Sequence, residues 1–538
     1  MIKNKTILLI CKESISPVMF FLGKELEKNN DVHYYFIHNS EVINKNPYNK
    51  YTYFYFKENI ENKKIDDFKE LNIQFLKNKE NISINYNRLE EIEKKYTHFA
   101  NLNKQILCSQ MTSMGFHDRF YYNQTTYEQN IYWLILNYDK TENLLEKLKP
   151  DYIFDLDLSE IQRTIINEVA YYNKIPYINF EFTRYSSSVI PTFNLGNKQP
   201  EKYFMEVYKK NKNEGNLEHY IKEVKKFRDQ SKIMPNFYRK NKIFSNKYNF
   251  LNLFKDLILM SFNFIKIKFF YYINRKYPVK YHTPMFSNPL KRLLFLSISY
   301  IRKFYLYSNY NKFFLNPLNE RYVYFTLHVI PESSTFIKAP MYTNELSLIQ
   351  SISKILPINW KLYVKEHPSM IGQRNLEFYK KISKIQNVKL VKMNAYQDPK
   401  PWIEKSEAVI SISGSAALEA AMLNKPSIVF GEVCFSVISG VKVVKSFEEV
   451  ERLLKLINIK NWPKDNITSC ATYLKSIDEV GLDGFSQPLS IIKLCEKKIR
   501  LAKLTEDEKI EFENSLNHLI AFYEKAVKIF NNRPSYDN

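Results

Sequence analysis

Twice along this chain, short apolar strand patterns alternate with helical patterns, and residues 196–320 separate the two runs. Such alternation constrains the fold more than any other feature, because βα units build parallel sheets with helices on their faces. In the first run Thr6–Cys11 is an apolar strand, Pro17–Lys28 has helical spacing through Val18, Phe21, Leu22 and Leu26, and Asp31–Ile37 returns as a strand. Residues 55–105 are polar and are expected to be helical, with Leu89, Ile92 and Tyr96 at helical spacing. Helices are predicted over Tyr127–Leu148 and Ile161–Asn173, and strands over 149–155, entered through Pro150, and 175–181. The rhythm resumes at Arg321, with strands predicted at Tyr322–Leu327, Trp360–Lys365 and Val388–Met393 and helices at Asn344–Leu356, Asn375–Ile385 and from Trp402. At 538 residues the chain is too long for one typical domain. The expected fold is α/β. It has a Rossmann-like domain over 1–195, a helical basic and aromatic insertion over 196–320, a second Rossmann-like domain over 321–480 and C-terminal helices over 481–538. The two Rossmann-like halves are expected to face a cleft.

Within the second run, Ser411–Gly431 reads as a strand end, a Ser-Gly-Ser turn, a helix, and a Lys425-Pro426 break into another buried strand. The chain has only 10 glycines, and Gly414 and Gly431 bracket this unit. A turn that opens a helix presents free backbone N–H groups and the positive end of the helix dipole, which suits a phosphate. Ser413 or Ser415 is the expected cap, and Gly414 lets backbone approach a ligand closely. Glu419, one turn on from Ser415, is placed to accept hydrogen bonds from a ribose. The competing reading is an ordinary strand–helix unit with a serine cap.

Other candidate residues fall at predicted strand ends, where open α/β sheets bind ligands. Lys365 and His367 are two apart and share a direction while the strand persists, and Pro368 stops it. A cation and an imidazole there suit a phosphate. His328, Glu332, Ser333 and Ser334 follow the Tyr322–Leu327 strand, with Glu332 a candidate base for an acceptor hydroxyl. In the first run Asp155, Asp157, Glu181 and Arg184 end strands and are candidates for the acceptor side. Asp118-Arg119 suits a local ion pair.

The net charge of +22 is concentrated. Residues 232–312 hold sixteen Lys/Arg against one acid, Asp256, together with 21 Phe/Tyr. Cations interleaved with rings suit an anionic membrane surface. Nucleic acid is the weaker reading, and a merely basic insertion remains open. No apolar run is long enough to span a bilayer. The N-terminus reads as a first strand rather than a signal peptide. The five cysteines, Cys11, Cys108, Cys434, Cys470 and Cys495, have no metal-ligand spacing, as expected of reduced thiols in a cytosolic protein.

Leu327-His-Val-Ile-Pro-Glu332, Tyr363-Val-Lys-Glu-His-Pro368, Ile371-Gly372, Ile412-Ser-Gly-Ser415, Glu419-Ala420 and Lys425-Pro426 together resemble the bacterial capsule polysaccharide biosynthesis family, which includes Kdo transferases. The resemblance is good over residues 321–435 and loose in the first half. It implies a GT-B fold and metal-independent transfer of a sugar, Kdo or a related acidic sugar, from a CMP- or UDP-sugar to a lipid-linked or growing surface polysaccharide. No further cofactor is implied. His367, Pro368, Ser413 and Ser415 would hold the nucleotide, and Glu332, with His328 beside it, would be catalytic. Some Kdo transferases carry Gln and Asp where this chain has His328 and Glu332, which leaves the donor sugar open. The implied location is the inner face of the cytoplasmic membrane, with other capsule assembly proteins as further partners. A nucleotide-sugar 2-epimerase and a non-catalytic polysaccharide assembly or export factor are the alternative functions.

Overall fold

The computed structural model describes residues 2–12, 15–37, 60–67, 71, 74–75, 78, 80–98, 101–108, 120, 125–156, 161–186, 188–196, 198–233, 248–273, 289–393, 396, 398–462, 465–482, 491, 494 and 504–532. Its strands form two six-stranded sheets. The first contains β1 (Thr6–Lys12), β2 (Asp31–Ile37), β3 (Ile65–Asp67), β4 (Tyr152–Phe154), β5 (Tyr177–Phe182) and β6 (Val189–Thr192), in the order β3-β2-β1-β4-β5-β6. All neighbours are parallel except β6, which runs antiparallel to β5. The second contains β7 (Tyr322–Thr326), β8 (Lys361–Lys365), β9 (Val388–Val391), β10 (Ala408–Ser411), β11 (Ser427–Val429) and β12 (Val441–Val443). It is wholly parallel, in the order β12-β11-β10-β7-β8-β9. The expected two-Rossmann α/β fold is therefore observed.

In both sheets the chain starts in the middle, builds outward to one edge, then crosses back to build the other. A crevice opens at the carboxyl ends of the two central strands where the winding reverses. In the second sheet these strands are β7 and β10, joined with Ile410 opposite Phe325, and β8 flanks β7 with Lys365 opposite Thr326. The central strands carry near-continuous apolar runs because both their faces are covered. Val323 and Phe325 face one core cluster while Tyr322 and Tyr324 face another.

Local signals set the helix ends. Thr126 and Gln129 close a reciprocal capping box at the start of the helix Tyr127–Leu148, and Lys149 ends it in left-handed backbone. Asn344 and Asn375 cap the helices Glu345–Ile355 and Leu376–Ser383. The helices Lys202–Glu214 and Glu218–Asp229, within the stretch expected to be an insertion, both pack on the helix Ile467–Val480. The helices Phe250–Ile273 and Pro289–Ser308 form a separate pair.

The helix Glu506–Asn532 returns to the first half. Phe512 packs edge-on to Phe21 at 5.0 Å, Phe522 edge-on to Phe180 at 4.3 Å, and Tyr523 stacks on Phe154 at 4.3 Å. The Tyr523 hydroxyl donates to the Asp155 carbonyl at 2.6 Å. One apolar cluster runs across both halves, joining Val18 and Phe180 to Ala417, Cys434 and Leu474. Two polar links reinforce it. Tyr473 donates to the Thr183 carbonyl at 2.7 Å, and the buried Lys338 ammonium pairs with the buried Glu181 carboxylate.

Candidate functional site

The crevice between β7 and β10 gathers residues from three adjacent strand ends. His328, just past β7, is 8% exposed, and its Nε2 lies 3.3 Å from the Ser411 hydroxyl at the end of β10. The Ser413 N–H also points at this nitrogen, at 3.5 Å. Ser411 Oγ in turn accepts from the Gly414 N–H at 3.0 Å. Two donors therefore converge on Nε2, which makes it the accepting nitrogen and leaves the ring proton on Nδ1. Nδ1 faces Glu345 Oε1 at 3.6 Å, and the same oxygen accepts from the His328 N–H at 2.6 Å.

The Ser-Gly-Ser turn is thus braced from beneath by an imidazole. Gly414 has an ordinary extended φ of −80°, so its value lies in space rather than conformation. A Cβ there would lie 2.8 Å from Ser411 Oγ and 3.1 Å from His328 Nε2. Gly414 itself is the N-cap of the helix Ser415–Met422, and no side chain caps that terminus. The expectation that Ser413 or Ser415 caps the helix is corrected. Ser413 is buried, Ser415 is exposed at the mouth, and the hydroxyl that binds the turn belongs to Ser411, still within the strand.

From β8 come Lys365, Glu366 and His367. Lys365 and Glu419 influence each other across the opening. Burial lowers the Lys365 ammonium below its usual range, opposed by the charges of Glu419 and Asp398. Burial raises the Glu419 carboxyl, opposed by a hydrogen bond from Ser415 and by Lys365. His367 is held down to about 4 by burial first, then by its neighbours His328, Lys365 and Arg374. Its Nδ1 accepts from the Ser369 N–H at 3.3 Å, in the short turn that Pro368 opens. The structure thus brings together His328, Lys365, His367, Pro368, Ser413, Gly414, Ser415 and Glu419. Glu332 lies half-buried at the N-cap of the helix Ser333–Lys338, beyond the same strand.

Behind these residues lies an ion cluster that the sequence reading missed. Arg374 pairs with Glu345 at 2.6 Å and Glu366 at 2.9 Å, and donates to the His328 carbonyl at 2.7 Å. Tyr379 adds a bond to Glu366 at 2.9 Å. Glu345 is held below the usual carboxylate range by Arg374 and His328 against the cost of burial, whereas burial dominates at Glu366 and raises it. A cavity of about 250 Å³ borders Glu345, Arg374 and Phe378. Its volume falls below that of ordinary small-molecule pockets, about 300–1,000 Å³, so it does not enclose a ligand as large as a nucleotide sugar. The one available signal for this cluster was Glu366 itself, an acidic residue inside a Lys-Glu-His-Pro strand end.

The acceptor-side candidates part company. Asp155 is fully buried and binds Arg163 Nη2 at 3.0 Å, with Tyr177 donating to the same carboxylate. Glu181 is sealed against Lys338 between the halves. Both carboxylates occupy buried ion pairs, which a carboxylate out of water requires, and neither is presented to a ligand. Arg184, at a left-handed φ of +64°, is half-buried; burial pushes the Cys434 thiol and the Tyr473 phenol up, and the Arg184 charge opposes that rise in part. Asp157 and Asp118-Arg119 lie outside the described residues, as do the side chains of Ser333 and Ser334.

No protein-family model and no curated protein matches the chain. Among solved structures, the UDP-GlcNAc 2-epimerase of Methanocaldococcus jannaschii, in complex with UDP-GlcNAc and UDP, aligns at 14% identity and a TM-score of 0.24, covering 88% of this chain and 99% of that one. The β-Kdo 2,7-transferase KpsC of Thermosulfurimonas dismutans aligns at 11% identity and a TM-score of 0.28, covering 62% and 79%. The wall teichoic acid polymerase TagF aligns at 14% and 0.22, covering 36% and 47%. At such low scores the likeness says nothing of the chemistry, which has to be read from the chain's own residues.

Proposed function

We propose that the protein is a nucleotide-sugar glycosyltransferase whose donor occupies the crevice between β7 and β10. One observation carries this reading: the β7, β8 and β10 ends bring His328, Lys365, His367 and the Gly414-Ser415 turn to one point at the reversal of the sheet. The first N–H groups of the helix Ser415–Met422 and the ammonium of Lys365 are suited to the donor phosphate. His367, uncharged at neutral pH, offers a hydrogen bond to the nucleotide without adding a second cation. Glu419 faces Lys365 across the opening and suits the ribose hydroxyls.

In the transfer, the bond between the anomeric carbon and the phosphate oxygen breaks as the acceptor oxygen bonds to that carbon. Negative charge grows on the departing phosphate, where Lys365 and the helix terminus stabilise it without reorganising. Glu332 takes the proton of the acceptor hydroxyl. His328 acts as a positioning residue: it holds the turn through Nε2 and is itself held by Glu345. The resemblance noted over residues 321–435 favours an acidic-sugar donor and a lipid-linked saccharide acceptor, with transfer independent of metal.

The test is a screen of CMP-, UDP- and GDP-sugars by calorimetry and by release of free nucleotide, with and without EDTA, on the wild type and His367→Ala. We expect one nucleotide class to bind the wild type and His367→Ala to weaken it, with Glu332→Gln binding normally but failing in transfer. Absence of binding to all three classes, or equal binding by His367→Ala, overturns the site. Conversion of the free nucleotide sugar to its 2-epimer without any acceptor would replace the transferase by an epimerase.

A further inference from the structure

The helices Phe250–Ile273 and Pro289–Ser308 pack on each other and leave a large apolar face open. Among the described residues, 11 of the 21 large exposed hydrophobic side chains lie on these two helices. They are not scattered. At about 100° per residue, Phe250, Phe254, Ile258, Phe262 and Ile265 fall within one stripe of the first helix. Leu290, Leu294, Ile301 and Tyr305 form a matching stripe on the second. Exposure reaches 65% at Phe250, 68% at Phe262 and 64% at Ile265. The opposite face of the first helix turns inward through Leu253, Asp256, Leu257 and Met260. Phe250 meets Phe304 edge-on at 6.4 Å at one end, and the helix has a packed side and an exposed apolar side, far beyond the single exposed apolar residues of an ordinary surface.

The charge on the pair is one-sided. The two helices carry seven Lys/Arg and one acid, Asp256. That acid is engaged by the Tyr248 hydroxyl at 2.5 Å, and Lys303 sits over the Tyr248 ring at 4.3 Å. Lys255 and Lys291 are exposed beside the apolar stripes. An apolar face with cations along its margin fits the boundary between acyl chains and anionic headgroups. Neither helix is long and apolar enough to cross a bilayer, so the fitting geometry is one that lies along the surface.

The pair is also tied to the candidate site. A Cβ on Gly372 would come within 2.3 Å of the Ser299 carbonyl and 2.9 Å of Lys303 Cβ, and Gly372 holds a φ of +84° that suits glycine. The second helix therefore rests directly on the loop that runs from His367 and Pro368 to Arg374.

We propose that this helical pair is a docking surface for an anionic phospholipid bilayer, entered by the Phe250–Ile265 stripe and held by its flanking cations. It brings the His367 loop to the lipid surface. The inference stands independently of which nucleotide, if any, the crevice binds.

The test is co-flotation of the full chain with vesicles of phosphatidylcholine, with and without phosphatidylglycerol, compared with Phe254→Ser/Phe262→Ser and Lys255→Gln/Lys291→Gln. We expect the wild type to float with the anionic vesicles and to be released by salt. The serine pair should lose roughly tenfold or more in partitioning, and the glutamine pair about fivefold for each charge removed. All four substitutions are on exposed positions, and circular dichroism verifies folding. No flotation by the wild type, or equal flotation by the serine pair, overturns the proposal. So does a concentration-dependent oligomer that the serine pair abolishes, which would assign the face to a second copy, or tighter binding to duplex DNA than to vesicles. Nucleotide calorimetry on the serine pair separates this outcome from any failure of the donor site.

Discussion

Replacing Arg374 by Met tests whether the ion cluster behind the crevice holds the second half together. The Arg374 side chain is 9% exposed and its partners Glu345 and Glu366 are 1% and 0% exposed, so no solvent compensates its removal. Breaking a buried pair by deleting one partner costs about 3–5 kcal/mol, and here one deletion strands two carboxylates. A loss at or above that range is a large fraction of a whole domain's stability of about 5–15 kcal/mol.

The pH dependence makes the test specific. In the wild type, Glu345 lies below its unfolded value, so its stabilisation is lost as pH falls through the folded value. Glu366 lies above, so its contribution moves the opposite way. The first effect operates below the unfolded carboxyl value and the second above it, so the cluster's contribution peaks between the two windows. In Arg374→Met both carboxyls rise above the unfolded value, and the variant gains stability on acidification. If both stay protonated in the folded state and ionise on unfolding, stability falls by up to about 2.7 kcal/mol per pH unit as pH rises above 5. Urea unfolding between pH 5 and 7.5, followed by tryptophan fluorescence, reads this directly. Glu345→Gln/Glu366→Gln/Arg374→Met should recover part of the loss and flatten the slope. A variant within 1 kcal/mol of wild type at neutral pH, or one that follows the wild type on acidification, would refute the cluster's role; that threshold is set at about the lower edge of core effects.

Gly414→Ala keeps an allowed backbone but drives a methyl against Ser411 Oγ and His328 Nε2. We expect a loss of about 1–3 kcal/mol in urea unfolding together with weakened nucleotide binding; a midpoint at or above wild type would show free room at the turn. His367, held down to about 4, should show no imidazole titration above pH 5 in NMR spectra of the unliganded protein, and a midpoint near 6.5 would mean that the ring is solvated.

The βα rhythm was legible where the central strands are apolar and buried on both faces, as in β1, β7 and β10; the edge strand β3, Ile-Asp-Asp, lies inside the 55–105 stretch expected to be helical and was not. The helix Tyr127–Leu148 was legible to the residue, since its start is set by a capping box and its end by a left-handed lysine. The convergence at the crevice was partly legible: His328, Lys365, His367 and Gly414 stand at strand ends. What joins them was not. Ser411 looks like an ordinary strand residue until β10 is set beside β7 and its hydroxyl meets His328. Nor does local sequence tell a ligand carboxylate from a structural one. Asp155 and Glu181 end strands as a binding residue would, yet their partners Arg163 and Lys338 are brought in by the next helix and by the other half. Glu345 follows a helix cap and reads as a solvated first-turn acid. Only the fold turns it inward toward Arg374.

The helix Glu506–Asn532 has a consequence for how the molecule is made. Its rings complete the packing around Phe21, Phe154 and Phe180, three residues that leave the ribosome hundreds of positions earlier. During vectorial synthesis, domains near the N-terminus ordinarily fold first. Here the first sheet must wait with an uncovered apolar flank while the second half is made, and the half that is translated first is the half that is finished last.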